Sequence, residues 1–396
     1  MPQQSLDKVW IDGFRGLRNL TLDGLGPLNI LVGGNNSGKT SVLEALSILC
    51  NPYEPLEWLA MVRRRDFGGL DETRIQSLRW CFRQAGELAD SEFMYQNRCE
   101  MECTGAFPLR KLQIEYRDII GEPSSQELER MARQRSNAGD VLEMDEQWRG
   151  AEITHFAESV SIPQAATAAG SIADSLGLPV VMQLWEKDLM MVRPNRPRKK
   201  DGNLPTDTLT PYSYQLNRLQ VRRHSRQLFP SKADPTRGRE YILELISEFD
   251  PDIVDIEIAS FRGGRPAIYL NHKRLGPAPL TIFGDALRRA VLLASTLHML
   301  KGGGLLLIDE IEMGIHVSSL EKVFAWLAKA AKQFNVQVLA TTHSLETVDA
   351  IAQSSPDGVD DLVTFHLDQT KNGTKVRRIA GELLHRLRHE RGLDVR

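Results

Sequence analysis

The sequence has few cysteines and no long apolar run. Four cysteines occur among 396 residues, and only Cys99 and Cys103 lie close together, so neither a disulfide framework nor a zinc site built from two cysteine pairs is expected. No segment reaches the roughly 18 consecutive apolar residues of a membrane-spanning helix. Residues 1–9 also lack the basic start and apolar run of a secretion signal. These absences predict reduced thiols, no membrane association and a cytoplasmic location.

The sequence also lacks an excess of either charge. Lys and Arg total 49, Asp and Glu total 52, and the formal net charge is −3. Glycine and proline are too scarce for a fibrous or low-complexity chain, and we find no internal repeat. The composition is that of a globular protein, and its length fits two or three domains of about 100–200 residues each. Near-neutral charge excludes no class of partner, because a basic patch can lie beside an acidic one.

Both ends of the chain have the pattern of an α/β sheet. Short apolar runs near the N-terminus predict strands at 9–11, 20–22 and 28–32. A helix with one apolar face is expected from Thr40 to Leu49. The C-terminal third alternates predicted helices and apolar strands, at about 285–300, 305–308, 318–334 and 336–340. Continuous apolar strands between helices indicate a sheet that is covered on both faces.

The middle of the chain has a weaker pattern. Residues 52–93 and 127–137 look helical, and 100–116 looks like two strands around Gly105. A loop rich in Pro, Gly and Arg and then an Arg-rich helix are expected at 193–209 and 214–228.

Two groups of basic residues stand out in that loop and helix. They are Arg193, Arg196, Arg198, Lys199 and Lys200 in the loop, and Arg218, Arg222, Arg223 and Arg226 on the helix. Three interpretations stay open: contact with a nucleic-acid backbone, docking of a protein partner, or solvated surface. Aromatic residues such as Tyr212 and Tyr214 are few in this stretch, so platforms for stacking bases are scarce here.

A glycine-rich segment between a predicted strand and a predicted helix carries the first chemical motif. The segment Gly33-Gly34-Asn35-Asn36-Ser37-Gly38-Lys39-Thr40, the phosphate loop below, matches the pattern of a nucleotide-binding P-loop. Backbone N–H groups turn inward around the β-phosphate in such loops, and the following helix N-terminus adds partial positive charge. We expect Lys39 to bridge the β- and γ-phosphates and Thr40 to bind Mg²⁺. The nucleotide-binding set predicted here is Gly33, Asn35, Asn36, Ser37, Gly38, Lys39, Thr40 and Ser41.

A second motif places two carboxylates at the end of an apolar strand. Asp309 and Glu310 directly follow Leu305–Ile308, and open α/β sheets bind their ligands at the C-terminal ends of the strands. Asp309 is expected to hold Mg²⁺ through its water shell. Glu310 is expected to accept the proton of the attacking water.

The number of residues between these two motifs narrows the class of P-loop protein to which the sequence can belong. Lys39 and Asp309 are 270 residues apart. In kinases and small GTPases of this fold, far fewer residues separate the P-loop from the other motifs of the nucleotide site. No Asn-Lys-x-Asp string is present to read guanine, which favours ATP over GTP. His343 follows the next predicted strand, 33 residues after Glu310, and we expect it to bind the γ-phosphate or to position the water. The predicted catalytic residues are Lys39, Glu310 and His343.

Together these motifs resemble ABC-type ATPases of the SMC/RecF/OLD branch, and within it the OLD-like group often called AAA-15 or AAA-21. Besides the phosphate loop and the acidic pair, the resemblance rests on Gly13–Leu17, Gly284-Asp285, Ile311–His316 and Thr341–Ser344. It covers residues 8–50 and 275–350. It implies an α/β P-loop NTPase, an ABC-type ATPase head with a mixed sheet and a largely helical insertion. Residues 1–95 and 251–396 would form the two halves of the head, with 96–250 as the insertion.

The resemblance also implies a head-to-head homodimer or higher homo-oligomer. Each ATP would lie between the phosphate loop of one subunit and the signature segment of the other. Phe283–Leu287 stands where that segment belongs, so Gly284 and Asp285 would contact the γ-phosphate in trans. The segment departs from the family pattern, because it has no Leu-Ser-Gly-Gly string and has Ala286 at a position often held by glycine. His316 matches an element with a structural or interface role.

OLD proteins continue past the histidine into a TOPRIM nuclease domain, whereas 53 residues follow His343 here. ATP hydrolysis without intrinsic nuclease activity is therefore expected. Two acidic groups are interpreted as turn residues: Asp357, Asp360, Asp361 and Asp368, and Asp250, Asp252 and Asp255.

Stand-alone ATPases of this group resemble one half of a two-gene anti-phage defence system. The other half encodes a nuclease or toxin effector of TOPRIM or HNH type, and DNA or a phage protein would be the trigger. The leading hypothesis is thus an ATPase sensor or scaffold that controls a separate effector. A RecF-type DNA repair clamp is the alternative, and a scaffold that hydrolyses ATP very slowly is a third hypothesis. The signature segment disfavours a transporter subunit.

Overall fold

The computed structural model describes most of the chain. The described residues are 4–65, 75–82, 97–121, 148–159, 179–186, 191–192, 203–211, 213, 237–260, 267–353, 362–370 and 373–395. Both groups of basic residues, the predicted helix at 127–137, and Asp357, Asp360 and Asp361 lie outside them.

The described elements are strands, α-helices and a few short helical turns. The strands are β1 (Lys8–Asp12), β2 (Leu20–Asp23), β3 (Leu28–Val32), β4 (Arg98–Thr104), β5 (Leu109–Gly121), β6 (Trp148–Ser159), β7 (Val180–Trp185), β8 (Met191–Val192), β9 (Thr206–Leu209), β10 (Ile253–Ala259), β11 (Ala267–His272), β12 (Gly276–Pro279), β13 (Leu305–Ile308), β14 (Gln337–Thr341), β15 (Leu362–Thr370) and β16 (Gly373–Ala380). The α-helices are α1 (Lys39–Cys50), α2 (Pro55–Arg65), α3 (Arg237–Ser247), α4 (Asp285–Met299), α5 (Val317–Phe334), α6 (Leu345–Gln353) and α7 (Gly381–His385).

A six-stranded mixed sheet positions the predicted site. Its strand order is β16-β15-β3-β14-β13-β9, in which β15, β3, β14, β13 and β9 run parallel and β16 pairs antiparallel with β15. Every residue of β3, β13 and β14 is buried. This confirms the predicted sheet with two covered faces, because a continuous apolar strand must be shielded on both sides.

Two hydrophobic cores lie on the two faces of this sheet. Alternate residues of β13 divide between them, since successive side chains of a strand point to opposite faces. Leu306 and Ile308 join the core that contains α4, α5 and α6, whereas Leu305 and Leu307 join the core that contains α1. Strands β13 and β14 therefore end at an edge that two packed layers hold in place.

Helix α1 is buried almost completely. The sequence predicted one apolar face, but every residue of α1 except Thr40 is buried. The reason is a second, antiparallel sheet with the order β2-β1-β4-β5-β6-β7-β8. Side chains of this sheet lie in the same hydrophobic core as side chains of α1 and of the six-stranded mixed sheet. The two sheets thus enclose α1 and fix the start of the helix, where the phosphate loop ends.

The described part of the middle of the chain consists mainly of strands, with α3 as its α-helix. More than half of residues 96–250 lie outside the described residues, so the expectation that this region is largely helical stays a prediction. Strand β4 pairs with β1 and β9 pairs with β13, so this region contributes to both sheets. In β4 the burial alternates along the strand, the period-2 pattern of a half-buried strand, and β4 and β5 confirm the two strands that were predicted around Gly105. The division of the chain at 95 and 250 stays a prediction.

Two further findings concern cysteines and membranes. All four cysteines are buried as free thiols, as predicted. No helix among the described residues is long and apolar enough to cross a membrane.

Candidate nucleotide-binding site

The phosphate loop connects β3 to α1 in a conformation that requires glycine. Gly33 has φ of 144° and Gly38 has φ of 95°, both in the region that L-residues with a side chain rarely adopt. A Cβ on Gly33 would collide with the main-chain oxygen of Leu367, and one on Gly38 would lie 2.7 Å from Cδ2 of Leu17. The loop therefore lies tightly against its surroundings, with α1 starting at Lys39.

The Lys39 side chain folds across this loop. Its Nζ donates to the main-chain oxygens of Gly33 at 2.7 Å and Gly34 at 2.9 Å. Burial lowers the pKa of Lys39, and the carboxylates of Asp309, Glu312 and Glu310 oppose that shift. The ammonium group is thus held where oxygen ligands converge, as a phosphate-binding lysine requires.

Asp309 and Thr40 are in contact although they are 269 residues apart. The Thr40 hydroxyl donates to the Asp309 carboxylate, with 3.1 Å to Oδ1. The Thr341 hydroxyl at the end of β14 donates to the same oxygen at 2.7 Å. It also accepts the N–H of Glu310 at 2.9 Å. Because β14 pairs in parallel with both β3 and β13, the helix that follows β3 and the turn that follows β13 meet at one sheet edge, which brings together the two predicted Mg²⁺ ligands.

Glu310 has an unusual backbone and a shifted carboxyl group. Its φ of 49° lies in the left-handed region, which is uncommon for a residue with a side chain. Its main-chain oxygen accepts a hydrogen bond at 2.6 Å from the buried guanidinium of Arg289 on α4. Burial, followed by the negative charges of Asp309 and Glu312, raises the pKa of Glu310, while His343 and Arg289 oppose that shift. A raised carboxyl pKa suits a group that accepts a proton.

His343 reaches the same edge of the sheet as the acidic pair. Its backbone N–H donates to Oε1 of Glu312 at 3.0 Å, which connects the loop after β14 to the loop after β13. His343 also lines the cleft that contains the phosphate loop. The structure therefore brings Lys39, Thr40, Asp309, Glu310 and His343 together.

Gly284 and Asp285 lie apart from this group. Both are exposed at the N-terminus of α4, and neither is among the described residues that line the cleft. A Cβ on Gly314 would lie 3.6 Å from Cβ of Asp285, so the signature segment adjoins the turn at 312–316. One subunit alone does not bring these two residues to its own phosphate loop.

Three acidic residues away from the site lie beside basic side chains. Asp250 lies 3.3 Å from Nε2 of His272, Asp252 lies 2.9 Å from Nε of Arg274, and Asp255 pairs with Arg239. Asp368 is exposed on β15. Asp250, Asp252 and His272 also offer possible ligand atoms within 4.8 Å of one another, so the interpretation of these acidic residues as turn residues stays a prediction.

The cleft that contains the phosphate loop has a volume of about 820 Å³. We call it the nucleotide cleft. Its lining includes residues 35–41, which are all predicted nucleotide contacts, and His343. It also includes residues that had no predicted role in nucleotide binding: Arg15, Gly16, Arg18, Trp80, Phe82 and Gln369. Arg15 belongs to a segment that carried the family resemblance, and its guanidinium pairs at 2.7 Å with the buried Glu44 of α1. Trp80 and Phe82 had no sequence signal, because residues 52–93 looked only broadly helical.

Fold and site together define a P-loop ATPase of the ABC type. A family model described as "AAA domain, putative AbiEii toxin, Type IV TA system" matches residues 105–349, and one described as "AAA ATPase domain" matches residues 5–134. The first match covers more than half of the chain. The protein therefore belongs to this AAA ATPase family.

Curated relatives share shorter segments. Uncharacterized protein MJECL11 of Methanocaldococcus jannaschii is 39% identical over 83 residues, which are 21% of this chain and 72% of that protein. Uncharacterized protein MJECL10 of the same organism is 42% identical over 52 residues, which are 13% of this chain and 24% of that protein.

Similar solved structures include SMC heads with low sequence identity. An SMC head bound to the C-winged helix domain of ScpA has a TM-score of 0.48 at 11% identity, covering 95% of this chain and 97% of that one. The SMC head domain from Thermotoga maritima has a TM-score of 0.40 at 12% identity, covering 96% and 99%.

Proposed function

We propose that this chain binds ATP with Mg²⁺ in the nucleotide cleft and hydrolyses it between two copies arranged head to head. The observation that carries the proposal is the hydrogen-bonded group at the sheet edge. There the Asp309 carboxylate accepts from both Thr40 and Thr341, and Glu310 follows it directly. This arrangement joins a phosphate loop to a proton acceptor, which are the two parts that ATP hydrolysis requires.

The residues present fit a magnesium–nucleotide complex. A hydroxyl and a carboxylate are hard oxygen donors of the kind that Mg²⁺ prefers, and Thr40 and Asp309 supply them at the mouth of the loop. Thr40 would bind the ion, and Asp309 would hold it through its water shell. Bound Mg²⁺ would neutralise phosphate charge.

The chain's own residues have distinct roles in this proposal. The phosphate loop binds the phosphates through backbone N–H groups, and Lys39 contributes its charge to the β- and γ-phosphates. Glu310 accepts the proton of the attacking water. His343 contacts the γ-phosphate or positions that water. Gly284 and Asp285 come from the second subunit, in keeping with their exposure and with a described cleft lining that does not include them.

At the level of the cell, we propose a sensor or scaffold subunit of a bacterial anti-phage defence system. In this role ATP sets the assembly state of the chain, which controls a separately encoded nuclease or toxin. The description of the matching family names a putative toxin of a type IV toxin–antitoxin system. This supports a role in a system that is made of two separately encoded proteins. No nuclease activity is assigned to the chain itself.

Mass spectrometry of the native complex tests this role. The chain would be purified through a tag after expression with its neighbouring genes. We expect a nuclease or toxin to co-purify with it and to dissociate when ATP is hydrolysed. A chain that carries only DNA fragments would contradict the defence role and favour a DNA repair clamp.

A further inference from the structure

Trp80 is an exposed aromatic residue inside the nucleotide cleft. All six tryptophans belong to the described residues, and Trp80 is the one that is exposed, with 48% of its surface accessible. It lines the same cleft as the phosphate loop. A large exposed aromatic surface beside a polar binding loop is typical of a ligand contact, since it gains stability when a flat partner covers it.

The backbone that carries Trp80 is fixed to the phosphate-loop side of the cleft. Trp80 lies on the short 3₁₀ helix Gln76–Cys81. The N–H of Arg15 donates to the main-chain oxygen of Cys81 at 2.8 Å, and Phe14 forms a β-bridge with Phe82. The Phe82 ring is stacked on the buried Trp58 ring, with 5.9 Å between centroids and 13° between planes. The indole is therefore presented from a rigid support.

A cation lies over the Trp80 ring. The guanidinium carbon of Arg79 is 5.0 Å from the ring centroid, within the range of a cation–π interaction. This contact orients the indole and leaves nearly half of its surface open. The cleft, at about 820 Å³, extends well beyond the phosphate loop and has room for the rest of a nucleotide, because small-molecule sites occupy about 300–1,000 Å³.

We propose that Trp80 stacks on the base of the nucleotide whose phosphates bind at the phosphate loop. The inference rests on the proposed function and adds the base-binding contact of the same site. Stacking needs only a flat π-face on the ligand. It is thus consistent with a chain that lacks the Asn-Lys-x-Asp string for reading a base through hydrogen bonds.

Calorimetry with two ligands tests this contact. ATP carries a base and inorganic tripolyphosphate does not, and both would be titrated in the presence of Mg²⁺. The Trp80→Ala variant is expected to bind ATP about 10–100-fold more weakly, the loss typical of a removed base–aromatic stack, and to bind tripolyphosphate as the wild type does. Trp80→Phe should retain most of the ATP affinity. Leu56→Ala is the matched control, because Leu56 is equally exposed at 48% but does not line the cleft.

The other outcomes overturn the inference in distinguishable ways. Unchanged ATP affinity in Trp80→Ala would show that the indole does not contact the base and would leave a protein-docking role for it. Equal losses for ATP and tripolyphosphate would show that Trp80 supports the loop rather than the base. A wild-type protein that binds neither ligand would overturn the proposed function together with this inference.

Discussion

Glu310→Gln will bind ATP with wild-type affinity and will hydrolyse it about 10²–10⁴-fold more slowly, the contribution typical of general acid–base catalysis. Glutamine keeps the shape of the side chain and its capacity to accept a hydrogen bond, but it cannot take up a proton. The backbone position is fixed independently of the carboxylate, since Thr341 and Arg289 hold the N–H and the main-chain oxygen of residue 310. The variant should therefore separate turnover from binding.

Phosphate release and calorimetric ATP binding would be measured on the same preparation. Glu321→Gln provides the control, because it makes the same chemical change at an exposed position of α5 and should hydrolyse ATP at the wild-type rate. If Glu310→Gln also turned over at the wild-type rate, the assignment of Glu310 as proton acceptor would be wrong.

Lys39→Ala will lose ATP binding and with it all turnover. The buried Nζ of Lys39 lies within 2.9 Å of two loop carbonyl oxygens, so no solvent-exposed cation can easily replace it. Removal of a charge-assisted contact to phosphate should weaken ATP binding about 100-fold or more. Calorimetry would measure this loss, and a Kd within a factor of about two of the wild type would contradict the role of Lys39.

A mixture of two inactive variants tests whether each ATP site is formed by residues of two subunits. Gly284→Asp places a carboxylate at the proposed γ-phosphate contact, and a Cβ on Gly284 meets no atom within 4 Å in its own subunit, so the variant should fold normally. In a mixed head-to-head dimer with Lys39→Ala, one of the two sites has both native halves. Random mixing should then recover about a quarter of wild-type activity from two inactive proteins, given two-fold symmetry. No recovery, with mixed dimers present, would contradict a site shared between subunits.

The phosphate loop and the acidic pair could be predicted from sequence because each is a short motif that requires a particular backbone conformation. Gly33 and Gly38 occupy positive-φ positions that a pattern of glycines reveals, and an apolar strand that ends in Asp309 points to a sheet edge. The contact of Thr40 with Asp309 followed from the rule that parallel strands meet ligands at their C-terminal ends.

Other features depend on long-range packing that no local pattern contains. The all-round burial of α1 results from its place between two sheets, and the helix sequence alone suggested one apolar face. The strands at 98–121 and 148–159 pair with partners far along the chain. Trp80 contributes to the cleft only because Arg15 and Phe14 anchor its short helix.

Phosphate release by the wild-type protein, measured with ATP in Mg²⁺ and again with EDTA, is the decisive measurement for Mg²⁺-dependent ATP hydrolysis by this chain. We expect steady hydrolysis in Mg²⁺ and its loss when EDTA removes the ion that Thr40 and Asp309 are proposed to hold. Hydrolysis that is equally fast in EDTA, or no hydrolysis by a protein that binds ATP and forms its head-to-head dimer, would contradict this expectation.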